Sequence, residues 1–267
     1  MKYKVLCSDL DGTLLSTKSD VSEFTISEIK RIKNTTRIIL VSARMPSGMY
    51  YIQENLGILN QPIICYNGAL VLHENKVIHS VSIPLTVVRD IHKLTEPLKV
   101  DLGLYAYNDW HVPKTSERVE KEIKYTKTRP TFNSTENSIL EWEDKNVGAH
   151  KIMIMGTKET ADILMPQLNT QFQNELNIYR SNDTLIEISP KSVSKLSAIK
   201  SILADDETLN DVISFGDNYN DLEMLVNTGC GVAVANGREE VKNSADFITS
   251  HNTEDGVALY IQQHLHI

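Results

Sequence analysis

The sequence predicts an α/β fold: a doubly wound, Rossmann-like parallel sheet interrupted by an inserted α+β domain. Three observations lead there. Short β-rich runs alternate with helical patterns over the first third of the chain. The same alternation returns over the last third, and the middle loses it. Strand–helix repetition implies right-handed crossovers, which lay the strands parallel.

The elements follow in order. Residues 3–8 form a compact apolar run halted at Asp9-Leu10-Asp11-Gly12. Ile26, Ile29 and Ile32 recur near helical spacing, so 25–32 is expected to be a helix. Ile38-Ile39-Leu40-Val41 makes 37–42 a strand covered on both faces, as continuous β-branched runs suit. A helix over 47–56 stops at Gly57, a C-cap residue because glycine tolerates left-handed backbone. A strand over 62–66 stops at Asn67-Gly68, and 70–73 with 77–82 reads as a hairpin across Glu74-Asn75. Near the C-terminus, helices are expected at 193–203, 222–226 and 257–265, with strands at 211–215 and 231–234. The middle is expected to place strands at 102–107, 151–155, 177–179 and 185–188 among two or three helices. Residues 83–187 are therefore expected to form an insert, and 1–82 with 188–267 a discontinuous core.

Composition narrows the function. The chain has 267 residues, room for two modest domains at roughly 150 residues each. Its 27 basic and 35 acidic side chains give a net charge of −8, which argues against nucleic-acid or anionic-membrane binding through a basic face. The 41% apolar and 23% charged fractions are those of a globular protein. No apolar run approaches the ~20 residues of a membrane span. The stretch following Met1-Lys2 is too short for a secretory signal. Cys7, Cys65 and Cys230 lie far apart, as expected of reduced, buried thiols in the cytoplasm, and neither they nor the histidines show zinc-ligand spacing. Nothing marks an apolar interface, so a monomer or small homo-oligomer is expected. If so acidic a protein handles an anionic metabolite, some local device must reverse the repulsion.

Four strand-end segments carry candidate chemistry. Ligands of open α/β sheets bind beyond the carboxyl ends of strands. There, Asp9 and Asp11 are two carboxylates at i and i+2, and Gly12 lets the chain turn so that both face the crevice. Ser42-Ala43-Arg44 offers a hydroxyl and free backbone N–H groups ahead of a helix, a pattern that holds phosphate oxygens or simply caps the helix. Lys195 follows, in a segment that also offers Lys191 and Lys200. Last, Asp217, Asn220 and Asp221 cluster within five residues, an oxygen-rich set suited to Mg2+.

In this order the four segments resemble the haloacid dehalogenase superfamily of phosphohydrolases, whose pattern is DxDGT, a strand-terminal Ser or Thr, a Lys, and GDxxND. The insert between the second and third segments is similar to the large α/β cap of the Cof-type subfamily, IIB. Asn67-Gly68-Ala69, the run over 231–237 and Glu254-Asp255-Gly256-Val257 extend the likeness along the whole chain. There are two departures. The family commonly has Thr-Gly-Arg where Ser42-Ala43-Arg44 stands, and often Gly where Lys191-Ser192 stand.

The resemblance implies a Mg2+-dependent phosphomonoester hydrolase acting on a small phosphorylated metabolite, a sugar phosphate foremost. Asp9 is then the nucleophile, forming an aspartyl-phosphate, and Asp11 the general acid and base. Thr13 is expected to hold Asp11 through its hydroxyl. Lys195, Ser42, Asn220 and the Leu10 and Ala43 amides are expected around the phosphoryl oxygens. Asp9, the Asp11 carbonyl and Asp217 are expected on the metal, with Asp221 on it or beside it. Arg44, Asn67 and Gly68, with Trp110, His111, Lys151 and Arg180 of the insert, are candidates for substrate contact. Two other readings stay open: a phosphotransferase of the phosphomannomutase type, and a non-catalytic phospho-ligand binding module. A response-regulator receiver has a different motif order and no large cap.

Overall fold

The computed structural model describes residues 3–17, 19–74 and 76–266. Met1-Lys2 and the Asn75 half of the expected hairpin turn lie outside them. The strands are β1 Val5–Ser8, β2 Arg37–Val41, β3 Ile63–Cys65, β4 Leu70–His73, β5 Lys76–Ser80, β6 Asp101–Ala106, β7 Asp109–Val112, β8 Thr131–Phe132, β9 Lys151–Met155, β10 Leu176–Asn182, β11 Leu185–Pro190, β12 Val212–Gly216, β13 Cys230–Val234 and β14 Phe247–Thr249. The α-helices are α1 Glu23–Ile32, α2 Ser47–Leu56, α3 Leu85–Thr95, α4 Glu117–Thr126, α5 Thr135–Asp144, α6 Lys158–Phe172, α7 Lys195–Ser201, α8 Leu222–Asn227, α9 Glu239–Ser244 and α10 Gly256–His264. The chain divides into two compact units. One joins the residues up to His79 with those from Ser194 onward; the other is Ser80–Val193.

The first unit is built on the sheet β14-β13-β12-β1-β2-β3-β4-β5. Its strands run parallel from β14 to β3, and β4 turns antiparallel to β3. The chain moves outward from β1 through β2 and β3, then re-enters on the other side of β1 at β12. The order therefore reverses between β1 and β12, and such a switch point opens a ligand crevice at the strands' carboxyl ends. Cys7 faces Ser214 and Ser8 faces Phe215, so Asp9 and Gly216 leave the sheet side by side. The Asp9 N–H donates to the Phe215 carbonyl at 3.0 Å. Val5, Cys7, Ile39, Val41, Ile64 and Val212 pack with Leu196 and Ile199 of α7 beneath this edge. Each such side chain contributes about 1.5–3 kcal/mol when fully buried.

Local signals set the helix ends. The Ser22 side chain accepts the Thr25 N–H to start α1, and Gly57 closes α2 at φ 68°. The second unit has the sheet β10-β11-β9-β6-β7-β8, antiparallel except where β8 joins β7. Leu102, Leu104, Ile152, Ile154, Ile186 and Ile188 alternate along three strands onto one face, against apolar residues of α3, α5 and α6. This unit holds four α-helices where two or three were expected, and β7, β8, α9 and β14 were not expected. In α4 only Val119 and Thr126 are buried, too few to print a helical period in the sequence. No described helix is long and apolar enough to cross a membrane.

Candidate active site

After β1 the chain makes one wide turn. Leu14 N–H donates to the Asp9 carbonyl (3.3 Å) and Leu15 N–H to that of Leu10 (3.0 Å), the five-residue spacing of a π-turn. Gly12 sits inside it at φ 91°, and a Cβ there would lie 2.7 Å from Asp217 Oδ2. Both the left-handed backbone and the close approach require glycine. Asn236 donates to the Gly12 carbonyl and Asn252 to that of Leu15, each at 2.7 Å. These two asparagines brace the turn; Asn236 lies in the 231–237 run that carries part of the likeness, whereas Asn252 was not singled out from the sequence.

Beside the turn, carboxylate oxygens of Asp9, Asp217 and Asp221 lie within 4.8 Å of one another. Lys195 Nζ bridges Asp9 Oδ1 and Asp221 Oδ1, 2.6 Å from each, and its side chain is fully buried. Lys195 is the first residue of α7, where Ser194 and Ser197 form a capping box. Gly68 admits that helix start: it has φ 107°, and a Cβ would fall 2.3 Å from the Ser194 carbonyl. Lys191, by contrast, donates to the Gln173 carbonyl of the second unit. Asp221 Oδ2 accepts the Asp217 and Asn218 N–H groups at 2.9 and 3.0 Å, so three donors engage its carboxylate.

The electrostatics follow from burial. Desolvation pushes Asp9 well above the usual carboxylate range; Lys195 pulls it down, while Asp221 and Asp217 push it further up. Asp217 rises to about 6, through burial and then the charge of Asp221. Burial works against the charged form of Lys195, but Asp221 and Asp9 more than offset it and hold its pKa above the lysine range. Three carboxylates facing one ammonium leave net negative charge in a site with little water. The donors are oxygens without sulfur or imidazole, and this chemistry fits a hard divalent cation. A cation here would remove the mutual repulsion.

A second set of contacts surrounds the first. Asn67, in left-handed backbone at φ 56°, donates its N–H to the Ser42 carbonyl (2.9 Å) and accepts the Asn220 side-chain amide (3.0 Å). The Ser42 hydroxyl accepts the Arg44 N–H at 3.2 Å. Thus Ser42, Asn67 and Asn220 form one braced rim, with Ala43 and Gly68 next to them along the chain. The expected Thr13–Asp11 contact is not formed: the Thr13 hydroxyl donates to Asp217 Oδ1 at 3.0 Å. Asp11 is instead gripped by Arg44, through Nε at 2.8 Å and Nη2 at 2.7 Å. Arg44 is 4% exposed, and its guanidinium is turned onto Asp11. A buried guanidinium needs a carboxylate partner, and Asp11 supplies it.

Residues of the second unit singled out from the sequence find partners within it. Trp110 stacks on Tyr105, with ring centroids 5.4 Å apart. Lys151 Nζ lies 4.6 Å from the Tyr105 ring centroid and 3.9 Å from Glu187. Arg180 pairs with Asp162 and donates to the Asn182 and Asp183 carbonyls. His111 is not a surface candidate, because it pairs with Leu104 across the sheet and its Nδ1 meets the Ser138 hydroxyl of α5 at 3.0 Å.

A family model described as haloacid dehalogenase-like hydrolase matches residues 6–261. A Haemophilus influenzae protein named as a phosphatase is 32% identical, over 98% of each chain. The 5-amino-6-(5-phospho-D-ribitylamino)uracil phosphatase YitU of Bacillus subtilis is 29% identical, also over 98% of each. The crystal structure of a haloacid dehalogenase-like hydrolase from Bacteroides thetaiotaomicron superimposes with a TM-score of 0.89 at 28% identity, covering 98% of this chain and 99% of that one. The chain belongs to the haloacid dehalogenase-like hydrolases. Within them it is a phosphatase of the Cof type.

Proposed function

We propose that the protein is a Mg2+-dependent phosphomonoester hydrolase acting on a small phosphorylated metabolite, a sugar phosphate foremost, through an aspartyl-phosphate. The reading rests above all on the buried Asp9–Lys195–Asp221 bridge with Asp217 beside it, at the β1–β12 switch point. The substrate named for the Bacillus relative, a phosphomonoester on a ribityl chain, supports the sugar-phosphate class. In this reading the residues over 1–82 and 188–267 carry the chemistry, and 83–187 act as a cap that selects the substrate. The protein acts in the cytoplasm, where its free, buried cysteines stay reduced, and it needs neither nucleic acid nor membrane.

Asp9 attacks phosphorus as its bond to the leaving oxygen breaks, and Asp11 gives that oxygen a proton. Water then attacks the aspartyl-phosphate and passes its proton to Asp11, which frees Asp9 and releases phosphate. Lys195 holds the Asp9 carboxylate in line and offers positive charge to the phosphoryl oxygens. Ser42, Asn220 and the Leu10 and Ala43 amides surround those oxygens as donors. Asp9, Asp217 and the Asp11 carbonyl would hold Mg2+, which supplies Lewis-acid charge neutralisation when bound. Asp221, with its carboxylate already engaged, holds Lys195 and the Asp217 loop in place.

The test is a phosphate-release screen over sugar phosphates, nucleotides, cofactor phosphates and a generic aryl phosphate, with Mg2+ and with EDTA. Release should require Mg2+, and Asp9→Asn should fold normally while losing turnover by at least about 10³-fold. Near-normal release by Asp9→Asn would remove the nucleophile assignment. Transfer of phosphate to a second hydroxyl without release would make the enzyme a phosphotransferase. No release from any compound would leave a binding module.

A further inference from the structure

We infer that Arg44 is a positioning residue that acts through Asp11, fixing its carboxylate for proton transfer to the leaving group, and does not bind substrate. This rests on the reading of Asp11 as the acid and base. The guanidinium is anchored independently of Asp11. Its Nη1 donates to the Gly48 carbonyl at 3.2 Å and to the Tyr51 hydroxyl at 3.0 Å, and Tyr51 in turn donates to the Ser19 carbonyl at 2.5 Å. From that fixed base Nε and Nη2 reach one oxygen each of Asp11. A two-point grip sets the plane of the carboxylate as well as its place.

Asp11 needs such a grip. Its side chain is half exposed, it precedes a glycine in left-handed backbone, and Thr13 is committed to Asp217. A carboxylate has about four lone-pair sites, and the fork uses one on each oxygen. The remaining sites stay open to a leaving-group oxygen or a water. Arginine suits the task because it holds its own proton throughout and never competes for the one being moved.

The experiment compares an alkyl phosphate with 4-nitrophenyl phosphate. An alkoxide leaving group needs a proton from Asp11, whereas 4-nitrophenolate leaves without one. The quantity is kcat/KM, which covers only steps up to departure of the leaving group. Arg44→Met should lower kcat/KM for the alkyl phosphate about 10- to 100-fold and for the aryl phosphate by no more than about threefold. The aryl ester should then show a burst of nitrophenolate, because hydrolysis of the aspartyl-phosphate still needs the base. Arg44→Lys, which keeps one of the two contacts, should recover part of the alkyl activity. Equal losses for both esters in both variants would make Arg44 a merely structural residue. A raised KM for both esters would make it a substrate contact. Either result overturns the inference. Asp11→Asn serves as the control: if it keeps alkyl-phosphate activity, the acid assignment fails first. If it loses that activity while Arg44→Met discriminates nothing, only the positioning role fails.

Discussion

The two units use polar groups in opposite ways. In the first, the key side chains come from segments far apart in sequence: Lys195 meets Asp9 across 186 residues and Asn220 meets Asn67 across 153. Of these, Asp9 and Lys195 are buried with Asp221, and the carboxylates raise one another's proton affinity. In the second unit, charged and imidazole groups such as Arg180 with Asp162 and His111 with Ser138 pair locally, while the ring nitrogens of Trp110 and Trp142 are buried without a hydrogen-bond partner among the described residues. The difference teaches where chemistry can be read. Buried groups held in tension by distant parts of the chain need a function to account for them, while satisfied local pairs are accounted for by folding.

The largest test of that contrast is Lys195→Met. Removing the ammonium leaves Asp9 and Asp221 buried without their shared partner. Breaking one side of such a buried network costs about 3–5 kcal/mol. Turnover should fall roughly 10²- to 10³-fold, because a preorganised donor at the phosphoryl site is lost. Urea denaturation and steady-state phosphate release measure the two effects separately. A variant as stable and active as the parent would mean that the bridge is ordinary packing, and the contrast between the units would collapse.

That contrast also explains what the sequence disclosed. The core strands were legible because Ile38 to Val41 and similar runs are buried on both faces, and α2 was legible because Gly57 marks its end. The carboxylates and Lys195 were legible because each sits at the end of such a run. The Arg44–Asp11 fork was not, since its register depends on how two loops pass each other 33 residues apart. The second unit was least legible. In β7 the core-facing residue is His111, satisfied by a serine on another element, so apolar alternation never appears in its four residues.

An intermediate effect comes from His150, which sharpens the account of the second unit. Its Nδ1 accepts the Tyr107 N–H at 3.3 Å, and its Nε2 lies 2.9 Å from the Ser80 hydroxyl. A proton on Nδ1 would set two donors face to face, and burial lowers the pKa from 6.5 to about 4. The unfolded chain therefore binds a proton between these values and the folded chain does not. The contribution is fully present above pH 6.5 and is lost as pH falls through about 4, to a limit of about 3 kcal/mol. His150→Asn places a non-titrating oxygen where Nδ1 accepts the same N–H. Urea midpoints from pH 7 to 4 should fall more steeply in the parent than in this variant, and parallel curves would show that His150 is solvated.

The smallest expected effect tests the claim that local satisfaction excludes function. Arg180 has the charge and reach of a phosphate-binding residue, and its position in the inserted segment made it a substrate candidate. Its guanidinium, however, is engaged by Asp162 and by the Asn182 and Asp183 carbonyls, on a pair open to solvent. Solvent screens such a pair, so its removal should barely move the melting temperature. If Arg180 bound substrate, it would first have to give up three acceptors, and its loss would raise KM while leaving kcat near the parent value. Arg180→Ala is therefore expected to keep both constants within about twofold for every phosphate ester the parent hydrolyses. A tenfold rise in KM for one class of ester would show that a satisfied local pair can also select the substrate. The division between the two units would then lie in how loosely each holds its charges, rather than in whether it uses them.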